Sequence, residues 1–128
     1  MSNLTALVGA VVFAWLPEDE APHHPGPKFR PVLVVDMDLE RKQLCVAYGT
    51  SQRVDRCGRG EIVFTPKEIE KLSKPTKFCL GKAKWIPLSS SYLSKTGEGK
   101  NVAYLGRTPA NRAADLLKRL EEVGYAYA

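Results

Sequence analysis

Residues 28 to 52 read KFRPVLVVDMDLERKQLCVAYGTSQ. Two β-branched apolar runs flank a short charged stretch, the pattern of an antiparallel hairpin. The run Val32-Leu33-Val34-Val35 has no polar alternation, so this strand is expected to be covered on both faces, as in a small barrel. A turn centred on Glu40 pairs Met37 with Gln43, Val34 with Val46 and Val32 with Tyr48. The same count brings Arg30 opposite Thr50. Opposed residues hold their Cβ atoms roughly 4.5–5.5 Å apart on one face. A slip of one residue would send one of the two to the other face.

The rest of the chain supplies what such a hairpin needs for cover. Val8 to Trp15 reads as a first strand, followed by LPEDEAPHHPGPKF, four prolines in fourteen residues and hence a long semi-rigid loop. Residues 50 to 60 form a polar, basic loop, and Glu61 to Phe64 a short strand. Thr65-Pro66-Lys67-Glu68 carries a capping box and predicts a brief helix ending near Ser73. Strands are expected at Thr76 to Leu80, Lys82 to Leu88 and Val102 to Leu105, with a helical turn at Ser89 to Leu93. Thr108-Pro109 opens the clearest helix, with Ala113, Leu116, Leu117, Leu120 and Val123 on one face and Gly124 as its stop. The expected fold is a single α+β domain over residues 1–128, a small antiparallel SH3-like β-barrel with short helices and a C-terminal helix.

At 128 residues one core is the natural reading. The net charge of +5 favours approach to a polyanion without requiring one. Cys45, Cys57 and Cys79 make an odd count without a C-x-x-C, which points away from a disulfide framework and a zinc site and toward a reduced, cytoplasmic protein. Leu4 to Leu16 is too short for a membrane span and has no basic segment ahead of it. No metal or cofactor is expected.

The Arg30–Thr50 pair carries a definite chemistry. Arginine presents a planar fork of donors that matches a phosphate and stays charged, and a threonine hydroxyl can bond the same group. An arginine beside a threonine at a strand end is also ordinary surface structure. The proline-rich loop before Arg30 and the basic loop after Thr50 leave the same end of the hairpin and favour a site. Lys28, Ser51, Gln52, Arg53, Arg56 and Arg59 would flank it and could track a phosphate backbone, or simply be solvated. His23 and His24 are the only histidines, and imidazole suits acid–base work, although adjacent loop histidines are commonly just hydrated.

The order Gly9-x-Val-Val-Phe, a loop, Arg30-Pro31-Val-Leu-Val-Val and then Val-Ala-Tyr-Gly-Thr50-Ser51-Gln52 resembles the PemK/MazF toxins of bacterial toxin–antitoxin pairs. The resemblance is good over residues 8 to 52 and loose beyond. It implies a barrel related to the SH3 fold, a homodimer, and a ribosome-independent endoribonuclease acting on single-stranded RNA without a metal. By the same resemblance Arg30 and Thr50 match the catalytic pair. The products would be a 2′,3′-cyclic phosphate and a 5′-hydroxyl, and an acidic antitoxin would cover the basic groove.

Two other readings stay open: a non-catalytic barrel that binds nucleic acid or a protein, and a gyrase poison. The tail Gly124-Tyr-Ala-Tyr-Ala lacks the tryptophan that the resemblance implies for the latter. Lys77, Lys82 and Lys84 alternate with Phe78, Ala83 and Trp85 as on the wet face of an edge strand. Trp85 is expected in the core or a dimer contact rather than as a base-stacking residue. Cys57 has no visible partner for nucleophilic chemistry, and Ser89-Ser90-Ser91 lacks the setting of a serine hydrolase.

Overall fold

The computed structural model describes residues 8–17, 20, 24–26, 28–93 and 104–124. His23 and residues 125–128 lie outside the described residues. Seven strands follow one another as β1 (Ala10–Trp15), β2 (Phe29–Asp38), β3 (Gln43–Thr50), β4 (Glu61–Phe64), β5 (Thr76–Cys79), β6 (Lys84–Pro87) and β7 (Tyr104–Arg107). A one-turn helix α1 (Ser90–Leu93) precedes β7, and α2 (Ala113–Glu122) follows it after a 3₁₀ turn at Ala110–Arg112. The sheet runs β4-β5-β3-β2-β1-β7, antiparallel at each pairing, with β6 also on β3.

β3 explains the curl. One edge pairs with β2, while the other takes β6 along Gln43–Val46 and β5 along Gly49–Thr50. Handing one edge from β6 to β5 bends the sheet into a half-barrel, and both faces of its middle become interior. Val32, Leu33, Val34 and Val35 are accordingly all buried. Leu33 and Val35 join Val11, Ala47, Phe64 and Phe78 in one core. Val32 and Val34 join Val12, Leu44, Val46 and Ile86 in the other, under Tyr92 and Leu93 of α1.

The hairpin register follows the expected count near the site and departs from it near the turn. Val34 pairs with Val46, Leu33 with Ala47 and Val32 with Tyr48. A bulge between Val34 and Asp36 then shifts the pairing, so Met37 faces Leu44 and not Gln43, which pairs with Asp38. An extra residue on one strand is the usual means of tightening twist there.

Three further expectations are corrected. The stretch after Thr65 is a hydrogen-bonded turn, not a helix. Thr65 N donates to Glu68 Oε1 at 3.1 Å and Glu68 N to Thr65 O at 2.9 Å, but no regular ladder follows before Pro75. β5 is no edge strand, because β4 and β3 flank it, and Lys77 is 7% exposed. Trp85 is 46% exposed and so not a core residue of this chain. The described part of the last strand is Tyr104–Arg107; residues 101–103 lie outside the described residues.

α2 packs through Leu116, Leu120 and Val123, while Leu117, expected on the same face, is 51% exposed at its rim. Arg112 anchors the helix start. Its Nη1 donates to Glu68 Oε2 at 2.7 Å and Val63 O at 3.1 Å, Nη2 meets Asp115 at 2.9 Å, and the guanidinium lies 5.0 Å from the Phe64 ring centre.

Candidate phosphate-binding site at the hairpin end

The β2–β3 count continues beyond Val32–Tyr48 to Pro31 and Gly49. A Cβ on Gly49 would lie 3.0 Å from Pro31 O, 2.6 Å from Thr76 Cγ2 and 2.7 Å from Phe78 Cε1. Only glycine lets three strands close this tightly. Extending the same count from Val32–Tyr48 by two positions sets Arg30 opposite Thr50. Arg30 is also in register with Ala14 of β1, Thr50 with Lys77 of β5, and Lys77 with Val63 of β4. Since opposed residues share a face, Ala14, Arg30, Thr50, Lys77 and Val63 form one row across five strands.

The row behind it begins Val12, Val32, Tyr48 and ends Cys79, Glu61. The neighbouring Cys79 side chain first, then burial and the nearby Glu61 charge, raise the Tyr48 pKa, against which Arg30 pulls it down. Glu61 is held below the ordinary carboxylate range, chiefly by the Gly58 N–H at 2.7 Å and further by Lys77, with burial opposing. Lys77 Nζ lies 3.5 Å from Glu61 Oε1 and donates to Arg56 O at 2.8 Å. A buried ammonium thus fastens the basic loop to the sheet beside Thr50.

The half-buried arginines divide into two kinds. The side chains of Arg112 and Arg119 are 24% exposed, and each is paired with carboxylates: Arg112 with Glu68 and Asp115, Arg119 with Asp115 and Glu122. Arg30 is half-buried too, yet it makes no hydrogen bond or ion pair with a described residue. A guanidinium removed from water without an acid beside it is a standing attraction for an anion. Thr50 Oγ1 accepts from Gln52 N at 3.1 Å, which leaves the hydroxyl proton free to be donated.

A cavity of about 380 Å³ opens at this end, and its lining includes Arg30, Thr50, Ser51 and Gln52. Of the residues expected to flank the pair, Ser51 and Gln52 reach it. Lys28, Arg53, Arg56 and His24 are exposed and do not line it. Arg59 points elsewhere, its Nε donating to Glu122 O at 2.6 Å. The far wall comes from the 71–76 segment, with Lys71, Ser73, Lys74 and Thr76, none of them singled out in the sequence. Tyr48 could have been found there, since it lies two residues before Thr50 and hence on the same face. The wall could not, because its distance to Arg30 is set by the curl. A second, largely apolar cavity of about 440 Å³ lies between α2 and the start of β1, away from this chemistry.

No protein-family model matches the chain, and no curated protein sequence matches it. Among solved structures, the toxin MazF-mt6 of Mycobacterium tuberculosis is similar in fold. The TM-score is 0.60 at 17% sequence identity, over 92% of this chain and 99% of that one. The curled antiparallel half-barrel with its C-terminal helix is therefore a MazF-like α+β fold.

Proposed function

We propose that the protein is a toxin-type endoribonuclease that cuts single-stranded RNA at the Arg30–Thr50 pair. The observation that carries this is the half-buried Arg30, without a partner among the described carboxylates, in a cavity that Thr50 also lines. The MazF-like fold supports the same reading.

In the proposed reaction the RNA 2′-oxygen attacks the adjacent phosphorus. The P–O2′ bond forms and the P–O5′ bond breaks, giving a 2′,3′-cyclic phosphate and a 5′-hydroxyl. The 2′-hydroxyl proton leaves to water and the 5′-oxygen takes one from water. Arg30 offsets the charge that builds on the phosphorane, and Thr50 donates to a non-bridging oxygen. Neither role requires a metal. A homodimer, an acidic antitoxin and a cytoplasmic setting belong to the same proposal.

The test is incubation of the purified protein with a long single-stranded RNA in EDTA, followed by mapping of 5′-hydroxyl ends. Cleavage by the wild type and its loss in Arg30→Ala is the expected result. Cleavage that persists in Arg30→Ala refutes the site. RNA binding without cleavage favours a non-catalytic barrel.

A further inference from the structure

Two thiols converge on Glu61 from separate parts of the chain. Cys57 Sγ donates to the Glu61 carbonyl at 2.8 Å, and Cys79 Sγ lies 3.8 Å from Glu61 Oε2. Cys79 is in register with Glu61 across β4 and β5, so their side chains share a face of the sheet. The backbone on either side of Cys57 is fastened to that same face. Arg56 O accepts from Lys77 Nζ at 2.8 Å, and Gly58 N donates to Glu61 Oε1 at 2.7 Å. One carboxylate thus bridges the residue after Cys57 to the thiol of Cys79.

The third cysteine is placed differently. Cys45 is buried on the other face, with Leu33, Ala47 and Phe78. Cys57 is exposed and Cys79 buried, an outer thiol to meet a reagent and an inner one behind it. Leu80 N donates to Gly60 O, so by antiparallel alternation the Glu61 carbonyl points away from β5. The Cys57 thiol on that carbonyl therefore rests at the outer edge of β4. A disulfide needs Cα atoms within about 7 Å, so the segment must turn inward to reach Cys79. Gly58, directly after Cys57, supplies the backbone freedom for that turn.

We propose that Cys57 and Cys79 form a reversible dithiol switch, oxidised by a small-molecule disulfide of the glutathione class. The Cys57 thiolate attacks one sulfur of that disulfide, whose S–S bond breaks and releases one thiol. The Cys79 thiolate then attacks the Cys57 sulfur, forming the Cys57–Cys79 bond and releasing the second thiol. Two protein thiols are oxidised, one small disulfide is reduced, and the two protons end on the released thiols. Closing the bond draws the 56–58 segment off Lys77 and Glu61. Lys77 is in register with Thr50, and residues 51–56 follow Thr50 directly, so the oxidised form displaces the site. That consequence, unlike the cross-link, rests on the proposed reaction. Burial, the Glu61 charge and, least, Asp115 raise the Cys57 pKa, while Arg119 and Lys77 lower it. The net rise keeps the reduced state protected at rest, and exchange quickens as pH rises.

The test holds the full chain in glutathione and glutathione disulfide at varied ratios, then quenches with acid. Free thiols are alkylated after denaturation and the peptides mapped by mass spectrometry. A linked Cys57–Cys79 peptide should grow with the disulfide fraction, with Cys45 alkylated throughout, and dithiothreitol should reverse it. Cys57→Ser keeps a hydroxyl donor for the Glu61 carbonyl and should give no link. RNA cleavage by the oxidised wild type should fall about 10²-fold, the scale of a misplacement of about 1 Å, while Cys57→Ser keeps its rate in the same buffer. Three alkylated cysteines at every ratio, a mixed disulfide at Cys57 that never passes to Cys79, or a link through Cys45 overturns the inference. That map needs neither RNA nor a variant that folds. A cross-linked protein that cleaves as fast as the reduced one overturns the control of the site. A reduced wild type that cleaves no RNA overturns the proposed reaction instead, and the peptide map still decides the switch.

Discussion

Lys77 stands in register with Thr50, and its ammonium group joins Glu61 and the Arg56 carbonyl beneath the basic loop. It is the buried tether between the sheet and the segment that follows the site. Lys77→Met keeps the stem and deletes the charge, so Glu61 loses its partner and the loop its fastening. The expected cost is about 1–3 kcal/mol in urea unfolding. Faster backbone amide exchange should appear in residues 53–58 before any change in the β1–β2 ladder. A variant with unaltered stability would show the ion pair to be idle.

Arg30 presents the opposite case. No described carboxylate depends on it, so Arg30→Ala should change unfolding free energy by no more than about 0.5 kcal/mol. RNA cleavage should fall about 10²–10³-fold, the scale for removing one donor to a transition-state oxyanion. Because Arg30 lowers the Tyr48 pKa, the variant should also raise it further above 10.0, as read by NMR titration of ring-labelled tyrosine. An unmoved Tyr48 titration would place the guanidinium away from this face.

Gly49 sets the separation of the pair. Gly49→Ala would press a methyl group against Thr76, Phe78 and the Pro31 carbonyl, and the last of these is backbone. The expected destabilisation is about 1–3 kcal/mol, as for overpacking elsewhere. Cleavage should drop more than stability explains, since relief of the clash moves Arg30 away from Thr50. Measuring both on the same preparation separates the two effects.

Acid should loosen the fold through Glu61 and Glu68. Burial pushes the Glu68 pKa up, but the Arg112 and Thr65 hydrogen bonds outweigh it, and the net shift is downward from 4.5. Glu61 also lies below 4.5, chiefly through the Gly58 N–H. Each native pKa is thus below the unfolded one. The stabilisation is complete above the unfolded value, and it is lost as pH falls through the native value. Urea midpoints from about pH 6 down to about pH 3 should decline for the wild type, and more shallowly for Glu68→Gln.

The alternation of apolar residues and one short turn determined much of the site in advance. The Val32–Val35 run gave a strand covered on both faces, and the count was right at Val34–Val46 and Val32–Tyr48, the pairs that lead toward Arg30 and Thr50. That legibility is local: strand period and hairpin register depend on residues close in sequence. The bulge at Val34–Asp36 escaped the count because extra twist has no residue signature there. The capping box at Thr65 formed its bonds without a helix, since Pro75 and the core around Ile69 and Leu72 stop the segment after little more than a turn. Lys77 looked like a wet-face residue because its burial comes from Glu61 and the 51–60 loop, sixteen or more positions away in the chain. Sequence alone named Arg30 and Thr50, the two side chains proposed to bind a phosphate. Only the curl of β3 from β6 to β5 brought Lys77 beneath them and the Lys71–Lys74 turn opposite, because those distances are fixed by long-range packing and not by local pattern.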